Sequence, residues 1–209
     1  MSIPKSRAIL TTYYSESMYY PLWERYYAPF FDHVEKYIYP FEMKKDYIGR
    51  VMVMNAKLKQ LLHKYDVVVI ADEDEIIVPD PKKYKDLGDY LDRFDGEGAR
   101  VIGYNIMEMP GALPLDIELK ITDQRFYWQR DPLYDKPMIA RVEFNFRPGK
   151  HTCDRDLPQD PDLYLFHLRD ADLHYLIVSS GLKRDQAFVD RINHRQLEAT
   201  PIPEKWRVI

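Results

Sequence analysis

The run from Val67 to Val78 places four consecutive acids, Asp72 to Glu75, inside an otherwise apolar stretch. The β-branched residues that follow Asp66 are typical of a buried strand, and a buried strand cannot carry four carboxylates through its core. We therefore expect the strand to end where the acids begin. In an α/β protein the carboxyl edge of the sheet is where ligands usually bind.

The spacing of the acids predicts which of them act together. Alternate residues of an extended chain point the same way, so Asp72 and Asp74 are expected to converge while Glu73 and Glu75 face the opposite side. Mg²⁺ and Mn²⁺ prefer oxygen ligands, and two converging carboxylates suit a cation that bridges two phosphates. We interpret Asp72 and Asp74 as a metal and nucleotide site. The alternative interpretation is a solvated acidic turn, since two acids one residue apart occur by chance in many proteins.

Composition excludes several classes of protein. The chain has 209 residues, enough for one continuous core, and we expect a single domain over residues 1–209. The formal net charge of -4 gives no basic footprint, so nucleic acid is not an expected partner. The single cysteine, Cys153, excludes an internal disulfide framework and a cysteine zinc cluster. Without a long apolar run or a signal-peptide pattern, the expectation is a cytoplasmic protein with no transmembrane segment.

Apolar periodicity predicts the order of the elements. The first third alternates strands and helices, and this β-α-β-α-β order predicts an α/β fold with a mostly parallel central sheet flanked by helices. Residues 110–137 contain several prolines and are predicted to be a loop-rich segment with short strands. The predicted elements are strands at 8–14, 34–41, 67–71, 100–107, 138–146 and 163–168, and helices at 18–31, 48–65, 82–94, 170–180 and 185–197.

Two histidines are candidate metal ligands. His167 ends the predicted strand 163–168 and therefore lies at the same kind of strand edge as Asp74, where an imidazole nitrogen would complete a metal site. A hydrogen-bonded structural histidine is the alternative. His151 follows Gly149 on a predicted turn and is the second candidate.

Charged residues after the predicted strand 163–168 are further candidates. Asp170 and Asp172 open a predicted helix, where an acid caps free N–H groups. A carboxylate at that edge would also serve as the general base that deprotonates a sugar hydroxyl. Arg169 and Lys150 are candidates to offset the charge of a diphosphate, or are simply solvated.

Several short motifs resemble those of a known family in their order and spacing, and they span nearly the whole chain. They are Leu10–Glu16, Tyr20–Tyr27, Asp72–Ile76, Val101–Gly111, Lys136–Ile139, Gly149–His151 and His167–Leu168. Together these motifs resemble glycosyltransferases with the GT-A fold, in the family 2-like group that includes the family 92 type. The resemblance implies a single GT-A-like, Rossmann-like domain. It also implies sugar transfer from a nucleotide-sugar donor, such as a UDP- or GDP-sugar, to a glycan or other hydroxyl acceptor.

The resemblance also implies roles for individual residues. It places the donor nucleotide near Thr11, Tyr13, Glu16 and Asp72. It assigns the metal, Mn²⁺ or Mg²⁺, to Asp72, Asp74 and either His167 or His151. Two positions depart from the family pattern. Ser15 replaces the usual Asn, and the acid that often follows the second strand is absent there, with Glu42 as a possible substitute.

The leading hypothesis is a metal-dependent, inverting glycosyltransferase with Asp170 or Asp172 as the base. A metal-dependent phosphoesterase or nucleotidyltransferase would share the acids but would need no sugar acceptor. A catalytically silent nucleotide-sugar-binding module of the same fold is the third hypothesis. P-loop ATPase chemistry is excluded because no G-x-x-x-x-G-K-[ST] motif precedes the acidic strand.

Overall fold

The computed structural model describes residues 5–14, 17–39, 46–173 and 186–206, except for the side chains of residues 13, 14, 39 and 186–189. The strands are β1 (Arg7–Tyr14), β2 (His33–Tyr39), β3 (Val67–Ile70), β4 (Glu75–Pro79), β5 (Gly98–Met107), β6 (Tyr127–Arg130), β7 (Pro137–Ala140), β8 (Gln159–His167) and β9 (Thr200–Pro201). The α-helices in this part of the chain are α1 (Tyr20–Tyr27), α2 (Tyr47–Leu62), α3 (Leu87–Arg93) and α4 (Gln186–Glu198). Short 3₁₀ turns lie at Ala28–Phe30, Ile121–Asp123, Pro132–Tyr134 and Glu204–Trp206.

All nine of these strands belong to one sheet, in which β2-β1-β3-β7-β5-β6-β9 form a continuous path and β8 pairs with both β5 and β4. The predicted α/β architecture is confirmed, and β2-β1-β3 form the expected parallel block. Outside that block β8 runs parallel to β5, whereas the remaining pairings are antiparallel. The sheet is therefore mixed. The prediction of a mostly parallel sheet holds for β2-β1-β3 and for the β5-β8 pair, and the other pairings are antiparallel because they join strands that are distant in sequence and whose direction local periodicity does not predict.

The central strands are buried on both faces, as their continuous apolar sequence predicts. Ile9 of β1 and Val69 of β3 face the core shared with α1 and α3. Their neighbours Leu10 and Val68 face the second core, which is formed with α2. Helix α1 begins with Pro21 in its first turn, where the missing N–H costs little.

Some predicted boundaries are wrong. The strand predicted at 138–146 ends at Ala140, because Phe144 and Phe146 leave the sheet and pack in the α2 core. The helix predicted from residue 82 begins at Leu87, where Asp86 caps it by accepting from the Asp89 N–H at 2.9 Å. Most of the helix predicted at 170–180 lies outside the described residues. Among the helices described, none combines the length and apolar character that a membrane crossing requires.

Candidate metal centre

The acids lie in a tight turn between two strands. Strand β3 ends at Ile70, and the Glu75 N–H donates to the Asp72 carbonyl at 3.0 Å as β4 begins. The Asp72 N–H in turn donates to Glu75 Oε2 at 2.9 Å. The prediction that Glu75 points away from Asp72 assumes an extended chain and is wrong. The turn folds the Glu75 side chain back onto the Asp72 backbone.

Strand β8 brings His167 to this turn. Strands β4 and β8 pair antiparallel with Glu75 opposite His167. The Leu168 N–H donates to the Asp74 carbonyl at 2.7 Å, which fixes the end of β8 against the acids. As a result His167 Nε2 lies 3.3 Å from Asp74 Oδ2, with only 5% of the histidine side chain exposed.

The orientation of the His167 ring is set by a buried hydrogen-bond chain. His167 Nδ1 lies 2.8 Å from Asn105 Oδ1, and Asn105 Nδ2 donates to Asp131 Oδ2 at 2.8 Å. Asp131 is itself fixed by the Leu133 N–H at 3.1 Å and by Arg195 at 3.6 Å. Because a carboxylate only accepts, Asp131 turns the Asn105 amide nitrogen towards itself and the amide oxygen towards the histidine.

These hydrogen bonds determine which nitrogen of His167 carries a proton. The Asn105 oxygen accepts, so His167 Nδ1 is the N–H donor, and in the neutral ring Nε2 then presents a lone pair. That lone pair faces Asp74 Oδ2, which is also an acceptor. The contact is favourable only when a positive centre lies between the two atoms, either a proton on Nε2 or a cation bound by both. A metal-binding histidine with its other nitrogen held in this way is a common arrangement in proteins.

Tyr134 covers the other side of the imidazole. Its ring stacks on His167 with centroids 3.9 Å apart and an interplanar angle of 27°. The close approach of Tyr134 to β5 depends on Gly103, because a Cβ there would lie 2.7 Å from the Tyr134 carbonyl carbon. Burial, followed by the negative charge of Asp74, raises the pKa of Tyr134 well above its ordinary value, so this ring is a neutral cover.

Asp74, Glu75 and His167 each offer one ligand atom, and these atoms all lie within 4.8 Å of one another. Glu75 is already engaged, since one oxygen contacts the Lys136 ammonium and the other accepts from the Asp72 N–H. Asp74 and His167 are therefore the members of this group with lone pairs directed at a shared point. The carboxylate oxygen suits Mn²⁺ and Mg²⁺, whereas the imidazole nitrogen suits Zn²⁺ and is a poor ligand for Mg²⁺.

Asp72 has a different environment on the same turn. Its Oδ1 accepts from Thr12 Oγ1 at 2.8 Å and contacts the Lys150 ammonium, while Lys136 lies 4.0 Å from Oδ2. Burial would raise the pKa of Asp72, but the two lysines outweigh it and hold that pKa well below its ordinary value. Asp72 is therefore ionised and neutralised by ammonium groups.

The remaining acids of the turn show an excess of negative charge. Burial, and then the charges of Asp74 and Asp72, raise the pKa of Glu73 well above its ordinary value. For Asp74, burial opposes ionisation, but His167 more than compensates, so the pKa of Asp74 lies below its ordinary value. A positive centre beside Asp74 thus keeps this carboxylate ionised in spite of its burial.

The other predicted site residues lie outside the contact between Asp74 and His167. His151 Nδ1 lies 2.5 Å from the Leu133 carbonyl, and His151 is outside the ligand group described above. Asp170 is buried and its carboxylate contacts Arg195. Asp172 is also buried. The N–H of the next residue in the chain, Leu173, donates to Glu108 Oε2 at 2.8 Å.

The predicted nucleotide residues divide into two groups. Thr11 is fully buried in the middle of β1, and its hydroxyl has no hydrogen-bond partner within the described part of the chain. The side chain of Tyr13, and all of Glu16 and Glu42, lie outside the described residues.

Sequence reasoning missed several residues that shape the site. Asn105 is a lone amide inside the apolar strand β5, and this is a signal that could have identified it, since a buried amide needs a partner. Lys136 directly precedes the buried strand β7, and a lysine at that position indicates a buried acid as its partner. Asp131 and Tyr134 gave no comparable signal, because both belong to a loop-rich segment.

Two cavities lie elsewhere in the structure. The larger, about 450 Å³, lies between α2 and residues 143–155, and its polar groups largely bond to one another, as Asn145 does to Asp154. The smaller, about 200 Å³, lies beside α1 and includes Ile76 of β4. Neither contains the acid turn, where Lys150 and Tyr134 fill the space.

No protein-family model matches the chain, and no curated protein matches it either.

Proposed function

We propose that the protein is a metal-dependent glycosyltransferase that uses a nucleotide-sugar donor, such as a UDP- or GDP-sugar, and Mn²⁺ or Mg²⁺. The observation that carries the proposal is the contact between His167 Nε2 and Asp74 Oδ2 at 3.3 Å, with the Nδ1 proton fixed on Asn105. The motif resemblance supplies the sugar chemistry, and the site geometry supports the metal.

The ligand chemistry fits the cation. Two protein ligands, Asp74 and His167, leave most coordination positions open for phosphate oxygens and water, as is usual for cations that act on nucleotides. When bound, the cation would neutralise the charge that develops on the leaving diphosphate. Asp74 and His167 hold that position, and Lys136 keeps the neighbouring Glu75 from competing for it.

The chain also offers candidates for the acceptor side. Asp170 and Asp172 lie three and five residues after His167, and one of them is proposed as the group that takes the proton from the acceptor hydroxyl. One oxygen of Asp170 is committed to Arg195, which lowers its availability. We expect Asn at one of these two positions, Asp170 or Asp172, to keep donor binding while losing transfer.

The proposal is tested by measuring nucleoside diphosphate release from UDP- and GDP-sugars, with Mn²⁺ or a chelator, and with or without a panel of hydroxyl acceptors. We expect release that requires Mn²⁺ and falls at least about a hundredfold in Asp74→Asn, because metal stabilisation is worth several kcal/mol. Asp154→Asn is the matched control, since this exposed acid bonds only locally to Asn145.

Three results would contradict the proposal. Release in the presence of chelator, or unchanged release in Asp74→Asn, would remove the metal from the reaction. Hydrolysis of the diphosphate itself, without dependence on a sugar acceptor, would favour a phosphoesterase. Metal-dependent donor binding without any release would favour a silent binding module.

A further inference from the structure

Lys150 is a buried ammonium group on a turn that the isolated bridge between Phe146 and Cys153 closes, within the connection from β7 to β8. Only 7% of the residue is exposed. Its Nζ contacts Asp72 Oδ1 and lies 3.3 Å from Thr12 Oγ1, while the Thr12 hydroxyl donates to the same Asp72 oxygen at 2.8 Å. Lys150 and Thr12 therefore occupy Oδ1 of Asp72, while Oδ2 lies 4.0 Å from the Lys136 ammonium.

The loop backbone is shaped to deliver this lysine. Gly149 has φ +90° and Lys150 has φ +62°, so two successive residues adopt the left-handed region. Only glycine does so without steric strain, and Lys150 is the one non-glycine residue with positive φ in the described part of the chain. The Lys150 N–H closes the turn on the Arg147 carbonyl at 2.9 Å. This conformation directs the side chain inward onto Asp72 instead of into solvent.

The second lysine near Asp72, Lys136, is paired mainly with a different acid. Lys136 contacts Glu75, which is buried opposite His167, and lies 4.0 Å from Asp72. Moving Lys136 would leave the Glu75 carboxylate buried without a counter-charge, which is costly. Lys150 lies on a turn, and its departure would leave Asp72 with Thr12, Lys136 and the charge of Arg50 nearby. Of the two ammonium groups, Lys150 is the one that can exchange partners.

We propose that Lys150 competes with the cation for Asp72 and moves to the diphosphate when a nucleoside diphosphate binds. This inference rests on the proposed function and adds a coupling between the two ligands. Without diphosphate, the ammonium holds Asp72 and weakens cation binding. With diphosphate, the ammonium gains phosphate oxygens as partners and releases Asp72 to the cation, so each ligand favours the other.

The test compares the parent with Lys150→Met in two titrations followed by calorimetry. The first uses Mn²⁺ alone, and the second uses inorganic pyrophosphate at saturating Mn²⁺. We expect Lys150→Met to bind Mn²⁺ alone about tenfold more tightly and to bind pyrophosphate about tenfold more weakly, within the usual range of coupling between sites. The opposite signs are the informative feature, because a purely structural defect would weaken both.

Two controls keep the result interpretable. Arg147→Met removes a charge from the same turn, at an exposed position, and should change neither affinity. Lys150→Gln keeps a polar side chain and should behave as Lys150→Met does, while thermal unfolding verifies the fold of each variant. Equal affinities in parent and Lys150→Met, or shifts of the same sign, would overturn this inference alone. Absence of Mn²⁺ binding in both proteins would overturn the proposed function as well.

Discussion

Asp72 and Asp74 lie two residues apart on one turn and are neutralised in different ways. Asp72 is held by Thr12 and the ammonium of Lys150, whereas Asp74 faces the imidazole of His167 at 3.3 Å. An ammonium carries its own fixed charge and completes the pair by itself. An imidazole whose other nitrogen is already the donor accepts either a proton or a metal in that place. Without ligands, the lysine side of the turn is therefore neutralised by the protein itself, and the histidine side is where we propose the cation site.

The largest effect is expected on the lysine side. Lys136→Met leaves Glu75 as an unpaired carboxylate with 3% of its side chain exposed. Loss of one partner of a buried ion pair typically costs about 3 to 5 kcal/mol, so urea unfolding should show a decrease of that size. Lys83→Met is the control, because its partner Asp162 is reached from an exposed position, and its unfolding midpoint should not move.

A double variant separates charge from packing in this result. Lys136→Met combined with Glu75→Gln removes the unpaired charge and should recover much of the lost stability. If Lys136→Met unfolds with the parent's free energy, Lys136 does not stabilise the turn and the contrast between the two sides is wrong.

The next largest effect is expected where Tyr134 stacks on His167. In Gly103→Ala the new Cβ would meet the Tyr134 backbone, with the carbonyl oxygen 2.8 Å away, so the 3₁₀ turn at Pro132–Tyr134 must shift. We expect a destabilisation of about 1 to 3 kcal/mol, typical of overpacking, and weaker Mn²⁺ binding as Tyr134 leaves His167. Tyr134→Phe keeps the stacked ring and should bind Mn²⁺ as the parent does. Full Mn²⁺ affinity in Gly103→Ala would show that the stacking does not position His167.

A smaller effect is expected from the hydrogen bonds that link His167 to Asn105 and Asp131. Asn105→Leu removes the acceptor for Nδ1 and should weaken Mn²⁺ binding about 10- to 100-fold, as is typical for partners of metal ligands. Asn105→Asp alone would place two carboxylates together at Asp131. Combined with Asp131→Asn, the exchange restores a donor and an acceptor in order, and calorimetry should show partial recovery. Equal losses in the single and double variants would count against the tautomer argument.

Local sequence patterns predicted the first half of the sheet well. Strands β1 and β3 are runs of apolar residues buried on both faces, and the helical spacing of Val51, Met54 and Leu58 placed α2 against them. The position of Asp72 at the end of β3 followed from the same reasoning, because a buried strand cannot contain four acids. These features depend on neighbours in sequence, and a single sequence contains that information.

The second half of the site depends on contacts between distant residues. Strand β4 exists as a separate strand because it pairs with β8, about ninety residues later, and because Lys136 holds Glu75. The pairing of Asp74 with His167 was expected from their strand-edge positions, and the structure does bring them together; their role as metal ligands stays a prediction. The environment of Asp72 had no local signature, since Lys150 reaches it through the backbone geometry of one turn.

Titration of the protein with Mn²⁺, in the absence of nucleotide, shows whether Asp74 and His167 bind one divalent cation as we propose. We expect one binding site in the parent, a loss of at least about a hundredfold in affinity in Asp74→Asn, and a similar loss in His167→Gln, with each variant still unfolding cooperatively in the absence of metal. Asp154→Asn should bind as the parent does. A parent that binds no Mn²⁺, or an Asp74→Asn variant that binds Mn²⁺ with parental affinity, would contradict a cation site at Asp74 and His167.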